Sequence, residues 1–222
     1  AESWIKNDSR FILVSEKEQG VVFASNKGAM LATGKYIARM DADDWAFPNR
    51  LEMQAKFLDD NLDYGVVAGL VEYIGHNENT EGFQRYVNWS NSLLVWEDIS
   101  MRRFMEMPIA NPTVMWRREI GEKLGLYRSG DFPEDYEMWL RWMSKGVRIH
   151  KLDQPVIKWF DSDTRLTRTK SIYSVKSFYS IKSKYLAVWL TANNPFHPHV
   201  AIWGASKISR RRAKLLEDCG ID

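Results

Sequence analysis

The chain has 222 residues, of which 45% are hydrophobic and 27% charged, and its formal net charge is +2. This length and apolar content are enough to bury a core in one large domain, or in one domain plus a fragment. The longest apolar stretch, at 185–190, is too short to span a bilayer, and no signal-peptide pattern opens the chain. The single cysteine, Cys219, excludes an internal disulfide. We therefore expect a cytoplasmic protein.

Short apolar runs alternate with segments of helical periodicity in the first half of the chain. Strands are predicted at three apolar runs: 11–14, 35–40 and 66–71. One helix is predicted at 26–33, and another begins after Pro48, a residue that suits the first helical turn. The apolar residues of the second helix recur at helical spacing and are expected to share a buried face: Leu51, Ala55 and Leu58.

The second half continues the same alternation. Helices are predicted at about 91–105, after Pro133 and at 170–192, and a turn at 110–113 leads into a strand. Another strand is predicted at 147–152. Residues 199–210 have the pattern of a strand, a glycine turn and a helix, which is typical of the start of a Rossmann-like unit. The alternation predicts an α/β fold, with a mixed sheet flanked by helices.

Three carboxylates, Asp41, Asp43 and Asp44, follow the predicted strand at 35–40. Like charges this close repel one another, so the cluster is costly unless a cation neutralises it. Oxygen ligands suit a divalent metal such as Mg²⁺ or Mn²⁺, and Mg²⁺ usually takes further ligands from the phosphates of a substrate. Aspartates also shape turns and cap helices, so a purely structural cluster is the alternative.

A second acidic pair, Glu134 and Asp135, follows Pro133 at the start of a predicted helix. The helix has one apolar stripe that would dock it and fix the position of the pair: Tyr136, Trp139, Leu140 and Met143. Acidic residues are common at helix N-termini because they complement the helix dipole, so spacing alone favours a structural role.

The region around the first acidic cluster contains a longer pattern. It runs Asn-x-Gly, Gly-x-Tyr-Ile and Asp-x-Asp, formed here by Asn26, Gly28, Gly34, Tyr36, Ile37, Asp41 and Asp43. This block resembles the donor-site half of the family 2 glycosyltransferases, which have the GT-A fold. The resemblance implies a nucleotide-sugar donor, a metal held by Asp41 and Asp43, and donor contacts from Asn26, Gly28, Arg39 and Asp41.

The second acidic pair also lies in a family-like context. Pro133, Glu134, Asp135, Trp139 and Arg141 follow the pattern Pro-Glu-Asp-x-x-x-Trp-x-Arg of the inverting members. The resemblance implies that Asp135 is the base that removes a proton from the acceptor hydroxyl, and that Glu134 orients the site or contacts the acceptor. The metal would stabilise the departing diphosphate.

The chain has no Asp or Glu from 164 to 216, whereas Lys and Arg recur throughout. Within this stretch, Arg165 and Arg168 lie in a segment that resembles an Arg-rich family loop, which implies contact with donor phosphates; surface charge is the alternative. A cationic face suits a glycan or lipid-linked acceptor that carries phosphate, and a peripheral contact at the inner face of the membrane. A solvated helix surface explains the charge equally well, and nucleic acid is not an expected partner because no binding motif accompanies the charge.

The resemblance extends over residues 5–190, but the opening of the family pattern, two βα units on the order of 50 residues, is not found. We therefore expect a fragment: a GT-A domain at 1–192 that lacks its N-terminal portion, and at 193–222 a linker with the first βα unit of a truncated Rossmann-like domain. Strands without neighbours leave unpaired edges, so we expect marginal stability or association of the 222 residues alone, and the sequence does not determine whether they are active.

Two other functions compete with an inverting hexosyltransferase of polysaccharide biosynthesis. One is a non-catalytic, degenerate transferase module that binds a glycan or partner through its aromatic and basic C-terminal half. The other is a metal-dependent phosphoryl hydrolase that uses the Asp41 cluster. The sequence does not determine the donor sugar, the nucleotide or the acceptor.

Overall fold

The computed structural model describes residues 2–75, 81–161 and 166–222. The helices are α1 (Glu2–Asn7), α2 (Val21–Leu31), α3 (Arg50–Asp60), α4 (Glu81–Asn91), α5 (Trp96–Arg102), α6 (Arg118–Leu124), α7 (Glu134–Ser144), α8 (Leu166–Thr169), α9 (Val175–Asn193) and α10 (Lys207–Glu217). Single 3₁₀ turns lie at Asn111–Thr113 and Ser171–Tyr173. The strands are β1 (Tyr36–Ala38), β2 (Trp45–Ala46), β3 (Tyr64–Ile74), β4 (Met115–Arg117) and β5 (Arg148–Phe160). None of the described helices is long and apolar enough to cross a membrane.

The five strands form one mixed sheet in the order β1-β4-β3-β5-β2. The two long strands, β3 and β5, pair in parallel at its centre, whereas the other neighbours pair antiparallel. Parallel neighbours require a crossover, and here α4 to α7 and β4 lie between β3 and β5 in the chain. The predicted mixed α/β sheet flanked by helices is confirmed.

The main core lies between the sheet and α7. Trp116 of β4 and two tryptophans of α7, Trp139 and Trp142, have ring centroids 5.3–6.1 Å apart in edge-to-face contacts, a favourable aromatic geometry. Ile149 of β5 and Ile181 of α9 belong to the same buried cluster. Because α7 meets the sheet and α9 together, nearly all of its side chains are buried, which fixes the helix that carries the acidic pair.

Most predicted elements are present. The strands predicted at 35–40, 66–71 and 147–152 correspond to β1, β3 and β5, the turn at 110–113 leads into β4, and the helix predicted at 170–192 corresponds to α9. The helix predicted at 26–33 begins earlier, at Val21, and the one predicted at about 91–105 corresponds to the shorter α5, while α4 before it was not predicted.

Two predicted strands are wrong. Residues 11–14 form no strand in the described part of the chain, and their apolar side chains are exposed, Ile12 by 77%. Residues 199–203 likewise form no strand in the described part of the chain, although α10 follows as predicted. An apolar run becomes a strand only when a neighbour completes its hydrogen bonds, and the run itself does not provide that neighbour.

The buried face of α3 combines apolar and polar side chains; of the three apolar residues predicted to share it, Leu58 is buried and Ala55 packs beside it. Leu51, expected in the core, is 58% exposed, while Arg50 and Gln54 are buried together with Leu58. The Gln54 amide donates to the carbonyls of Val67 and Thr113, at 3.2 and 2.7 Å. Hydrogen bonds to backbone carbonyls offset the cost of burying these polar groups, so α3 ties β3 to the 3₁₀ turn before β4.

Candidate active site

The three aspartates after β1 form one compact turn. The Asp44 amide donates to the Asp41 carbonyl at 3.3 Å, and one carboxylate oxygen from each of Asp41, Asp43 and Asp44 lies within 4.8 Å of the others. Asp43 is exposed, Asp41 partly exposed and Asp44 buried. An all-oxygen donor set of this size fits a hard divalent cation such as Mg²⁺ or Mn²⁺. Asp44, which was not among the predicted metal ligands, belongs to the same cluster.

Asp44 fastens this turn to the end of β5. Its Oδ1 accepts a hydrogen bond from the Phe160 amide at 3.2 Å, and next to it Trp45 of β2 pairs with Lys158 of β5. The turn is therefore held by backbone contacts on both sides of the carboxylate cluster. The position of the cluster relative to the sheet is fixed before any ligand binds.

Arg168 follows the same end of β5. Its Nη2 lies 2.7 Å from Oδ2 of Asp161, one residue after Phe160, and its guanidinium lies 5.0 Å from the Phe83 ring centroid. This places Arg168 in the region that contains Asp44, with its charge already engaged by Asp161. Arg165, the other predicted phosphate contact, lies outside the described residues.

Arg39, at the end of β1, connects the two acidic motifs. Its Nη1 forms an ion pair with Oδ2 of Asp41 at 2.5 Å, while its carbonyl accepts a 2.7 Å hydrogen bond from Arg50. The Arg39 side chain is only 15% exposed. Its charge also lies close enough to Asp135 to lower the pKa of that carboxyl. The guanidinium therefore interacts electrostatically with two acidic residues that are far apart in the chain.

Asp135 lies in the first turn of α7, where its Oδ1 accepts a 2.7 Å hydrogen bond from the Tyr136 amide. Burial, and then the neighbouring charge of Glu134, raise the pKa of Asp135 to about 7, against the opposing effects of this amide and Arg39. The side chain keeps some exposure to solvent. A carboxyl group with a pKa near neutrality is suited to accept a proton as a general base.

Glu134 is held in place from a different element. Its side chain is buried, and the Tyr173 hydroxyl lies 3.0 Å from its Oε1 and 2.8 Å from its Oε2. Burial and the neighbouring Glu134 raise the pKa of Tyr173. The hydroxyl therefore keeps its proton and donates a hydrogen bond to the Glu134 carboxylate. The 3₁₀ turn Ser171–Tyr173 therefore covers the acidic pair.

Glu137, the third acidic residue of α7, fixes the orientation of the helix. It is buried, accepts from Arg141 Nε at 3.0 Å, and also accepts from the Tyr185 hydroxyl at 2.7 Å. Arg141 in turn donates to three successive carbonyls, of Leu124, Gly125 and Leu126. A buried ion pair with this many hydrogen bonds is costly to break, so the network acts as an anchor for Asp135.

Asn26, in α2, is bound to the loop before α7. Its amide donates to the Tyr127 carbonyl at 2.9 Å, and its Oδ1 accepts from the Tyr127 amide at 3.0 Å. The Tyr127 hydroxyl donates to Asn111 at 3.3 Å. These contacts give Asn26 a structural role, whereas Gly28, in the same helix, is exposed, with open space where a Cβ would stand.

Residues 1–125 match the model of the family described as glycosyl transferase family 2. The chain belongs to this family. The assignment confirms the predicted glycosyltransferase and, together with the mixed α/β sheet, the predicted GT-A class.

Two curated relatives are similar to this family 2 glycosyltransferase over most of its length. An uncharacterized glycosyltransferase of Methanocaldococcus jannaschii is 28% identical over 179 residues, which is 77% of this chain and 60% of the relative. The amylovoran biosynthesis glycosyltransferase AmsE of Erwinia amylovora is 28% identical over 158 residues, 71% of this chain and 57% of the relative. The chain therefore spans no more than about 60% of the length of either relative.

Among solved structures, a mannosyltransferase of Pyrobaculum calidifontis, determined in complex with GDP-Man and Mn²⁺, is 15% identical with a TM-score of 0.49. The match covers 99% of this chain and 55% of that structure.

The candidate site thus brings together residues that the sequence motifs singled out and residues that they did not. Asp41, Arg39 and Asp135 lie in one region, as the two motifs suggested. Tyr173 and Asp44 join them. Nothing in the local pattern distinguishes Tyr173 from the other aromatic residues nearby, whereas the Asp-Ala-Asp-Asp run already contained Asp44.

Proposed function

We propose that this chain carries the metal, donor and base residues of an inverting glycosyltransferase that moves a sugar from a nucleotide-sugar to an acceptor hydroxyl. The observation that supports this most strongly is the position of Arg39. It pairs with Asp41 at 2.5 Å and is close enough to Asp135 to lower the pKa of that carboxyl. A metal-type acidic cluster and a base-type carboxyl therefore share one site, as displacement of a diphosphate by a hydroxyl requires.

The residues at the first motif fit a divalent metal. Asp41 and Asp43 would hold Mg²⁺ or Mn²⁺, and Asp44 adds a third oxygen within the 4.8 Å cluster. When bound, such a metal stabilises the negative charge of the departing diphosphate. Arg39 and Arg168 lie at the same end of the sheet, where guanidinium groups suit phosphate oxygens. Arg39 also balances the charge of Asp41 through their ion pair.

The second motif supplies the base. Asp135 takes the proton of the acceptor hydroxyl on Oδ2, since the Tyr136 amide occupies Oδ1. The hydroxyl oxygen forms the new bond to the anomeric carbon while the bond to the donor phosphate breaks and the nucleoside diphosphate leaves. A single displacement of this kind inverts the anomeric configuration. Glu134 is held by Tyr173 next to Asp135, and its charge raises the pKa of Asp135.

The acceptor belongs to a glycan or to a lipid-linked sugar. The similarity to a relative named for amylovoran biosynthesis supports polysaccharide assembly as the setting, on the cytoplasmic side of the membrane. The basic residues of the C-terminal half suit an acceptor that carries phosphate.

The first test is metal-dependent donor binding. We expect the chain to bind Mn²⁺, followed by electron paramagnetic resonance, and a nucleoside diphosphate in the presence of Mn²⁺, followed by calorimetry. Asp43→Asn should remove both, because it deletes a charged oxygen ligand. Asp60→Asn is the control, since Asp60 is equally exposed and pairs only with Lys56 in the described contacts.

Three other outcomes would contradict the proposal. Oligosaccharide binding without metal would indicate a non-catalytic module. Release of free phosphate from a nucleotide would indicate a phosphoryl hydrolase. Transfer with retained anomeric configuration, read by NMR of the product, would exclude a single displacement with Asp135 as base.

A further inference from the structure

Residues 196–208 expose an unusual amount of apolar surface. Trp203 is fully exposed, with a relative accessibility of 104%, and three more apolar side chains lie in the same segment: Phe196, Ile202 and Ile208. Scattered exposed apolar residues are ordinary, but several large ones within thirteen positions indicate an interaction site. We call these four residues, together with Lys207, Arg210 and Arg211, the Trp203 surface.

The polar part of this surface is entirely cationic. Lys207, Arg210 and Arg211 are exposed on α10, and none of them pairs with an acidic residue in the part of the chain that the structure describes. The first acidic residues after position 163 are Glu217 and Asp218, and both lie within 3.4 Å of Lys214. Their charge is therefore already engaged at the far end of the helix.

The surface is attached to the body of the protein through α9. The Arg212 guanidinium lies 4.1 Å from the centroid of the Tyr179 ring, and three apolar residues of α10 are partly buried: Ala213, Leu215 and Leu216. With that side of α10 turned toward the protein, the exposed cations and Ile208 remain accessible to a large partner. The helix thus has one attached side and one cationic, apolar side.

We propose that the Trp203 surface binds the face of a bilayer that contains anionic phospholipid. Tryptophan favours the membrane interface, because its ring is apolar and its indole N–H is polar. Amphipathic segments with Lys and Arg on the polar side and Trp, Phe or Ile on the other lie in the interface plane. The peripheral membrane contact that the cationic C-terminal half of the sequence predicts would thus be made by the Trp203 surface.

Two other partners fit less well. Nucleic acid would attract the cations and could stack on Trp203, but it has no use for the aliphatic side chains of Ile202 and Ile208. A second copy of the chain could cover the apolar residues, but Lys207, Arg210 and Arg211 would then face like charges. Only an anionic bilayer satisfies both the charge and the aliphatic side chains. This inference does not depend on the proposed transfer reaction.

The test uses the full chain and vesicles of two compositions, phosphatidylcholine alone and an equal mixture of phosphatidylcholine and phosphatidylglycerol. We expect sedimentation with the mixed vesicles only, weakened by salt. Lys207→Gln with Arg211→Gln should lower the affinity about 25-fold, since each cation near an anionic surface contributes about fivefold. Brominated lipid should quench part of the tryptophan fluorescence of the bound chain. The Trp203→Phe variant should still bind the mixed vesicles, but its remaining fluorescence should not be quenched.

Matched control variants distinguish binding through this surface from non-specific adsorption to vesicles. Leu62→Ala removes an apolar side chain that is 79% exposed in another part of the chain, and Lys145→Gln removes an exposed cation. Both should bind the mixed vesicles like the unaltered chain. Trp203→Ala should reduce binding without changing the thermal melt, because the side chain has no contacts to lose.

Several results would overturn the inference. The inference is wrong if the chain binds phosphatidylcholine vesicles as well as the mixed vesicles. It is also wrong if Leu62→Ala and Lys145→Gln weaken binding as much as the substitutions in the Trp203 surface. Displacement from vesicles by a short single-stranded oligonucleotide at lower concentration than by phosphatidylglycerol would assign the surface to nucleic acid. Dimerisation that Trp203→Ala abolishes would assign it to a second copy. None of these results bears on Mn²⁺ binding, which tests the transferase proposal separately.

Discussion

Replacing Asp135 with asparagine is expected to stabilise the fold at neutral and alkaline pH while abolishing sugar transfer. The pKa of Asp135 is raised to about 7 by burial and by Glu134, from an ordinary value of 3.8. Between these two pH values the folded chain keeps a proton that the unfolded chain has lost, so this group makes the fold less stable as pH rises. Above about pH 7 the full cost is present, and Asp135→Asn removes it.

The size of the effect follows from the displacement of the pKa. A change of about three units corresponds to as much as about 4 kcal/mol of unfolding free energy, at about 1.4 kcal/mol for each unit. This is an upper bound because the asparagine amide must itself find hydrogen-bond partners in a buried site. The Tyr136 amide keeps its acceptor, since asparagine retains Oδ1. For a domain of this size, the full effect would raise Tm by roughly 10 °C.

The measurement is the free energy of unfolding in urea at pH 4, 6 and 8 for the unaltered chain and the variant. We expect only a small difference at pH 4, close to the ordinary pKa of 3.8, and a growing advantage for Asp135→Asn at pH 6 and 8. Asp131→Asn is the control, because Asp131 is a nearby carboxylate that is exposed. The reasoning is refuted if the variant is no more stable than the unaltered chain at pH 8, or if Asp131→Asn gains as much.

Three further predictions concern other buried polar groups. Glu137→Ala should cost about 3–5 kcal/mol in urea unfolding, because it leaves the Arg141 charge buried without its carboxylate partner; an effect under about 1 kcal/mol would contradict the anchoring role. Tyr173→Phe should cost about 1–3 kcal/mol, since Glu134 loses a donor to both oxygens, and an unchanged midpoint would count against it. Burial lowers the pKa of Lys151 to about 7, so the unfolded chain holds the extra proton between about pH 7 and 10.5, and stability should rise with pH there; Lys151→Met should flatten that rise.

Local sequence patterns predicted several elements of the fold and several residues of the candidate site. The two acidic motifs, the buried strand within β3 and the apolar stripe of α7 are contiguous or periodic in the sequence, and each is formed by residues that act together over a few positions. Residues such as Asp41 and Asp135 could therefore be singled out without a structure. The family resemblance rested on the same contiguous residues, and the family assignment confirmed it.

Other features depend on partners that are distant in the chain. The runs at 11–14 and 199–203 have the composition of strands, yet neither belongs to a strand of the described sheet. Arg50 and Gln54 are polar but buried, because distant backbone carbonyls accept their hydrogen bonds: those of Arg39 and Val114 from Arg50, and those of Val67 and Thr113 from Gln54. Burial and strand pairing are properties of two segments at once, which one segment's sequence does not specify.

The same division holds within the candidate site. The sequence by itself determined which carboxylates were candidates, because their spacing and neighbours are local. Only the tertiary structure decided that Arg39 pairs with Asp41 and lies close enough to Asp135 to lower the pKa of that carboxyl, and that the Tyr173 hydroxyl donates to Glu134. Charge interactions act over a few ångströms of space, and it is the sheet order and the packing of α7 that bring these residues within that distance.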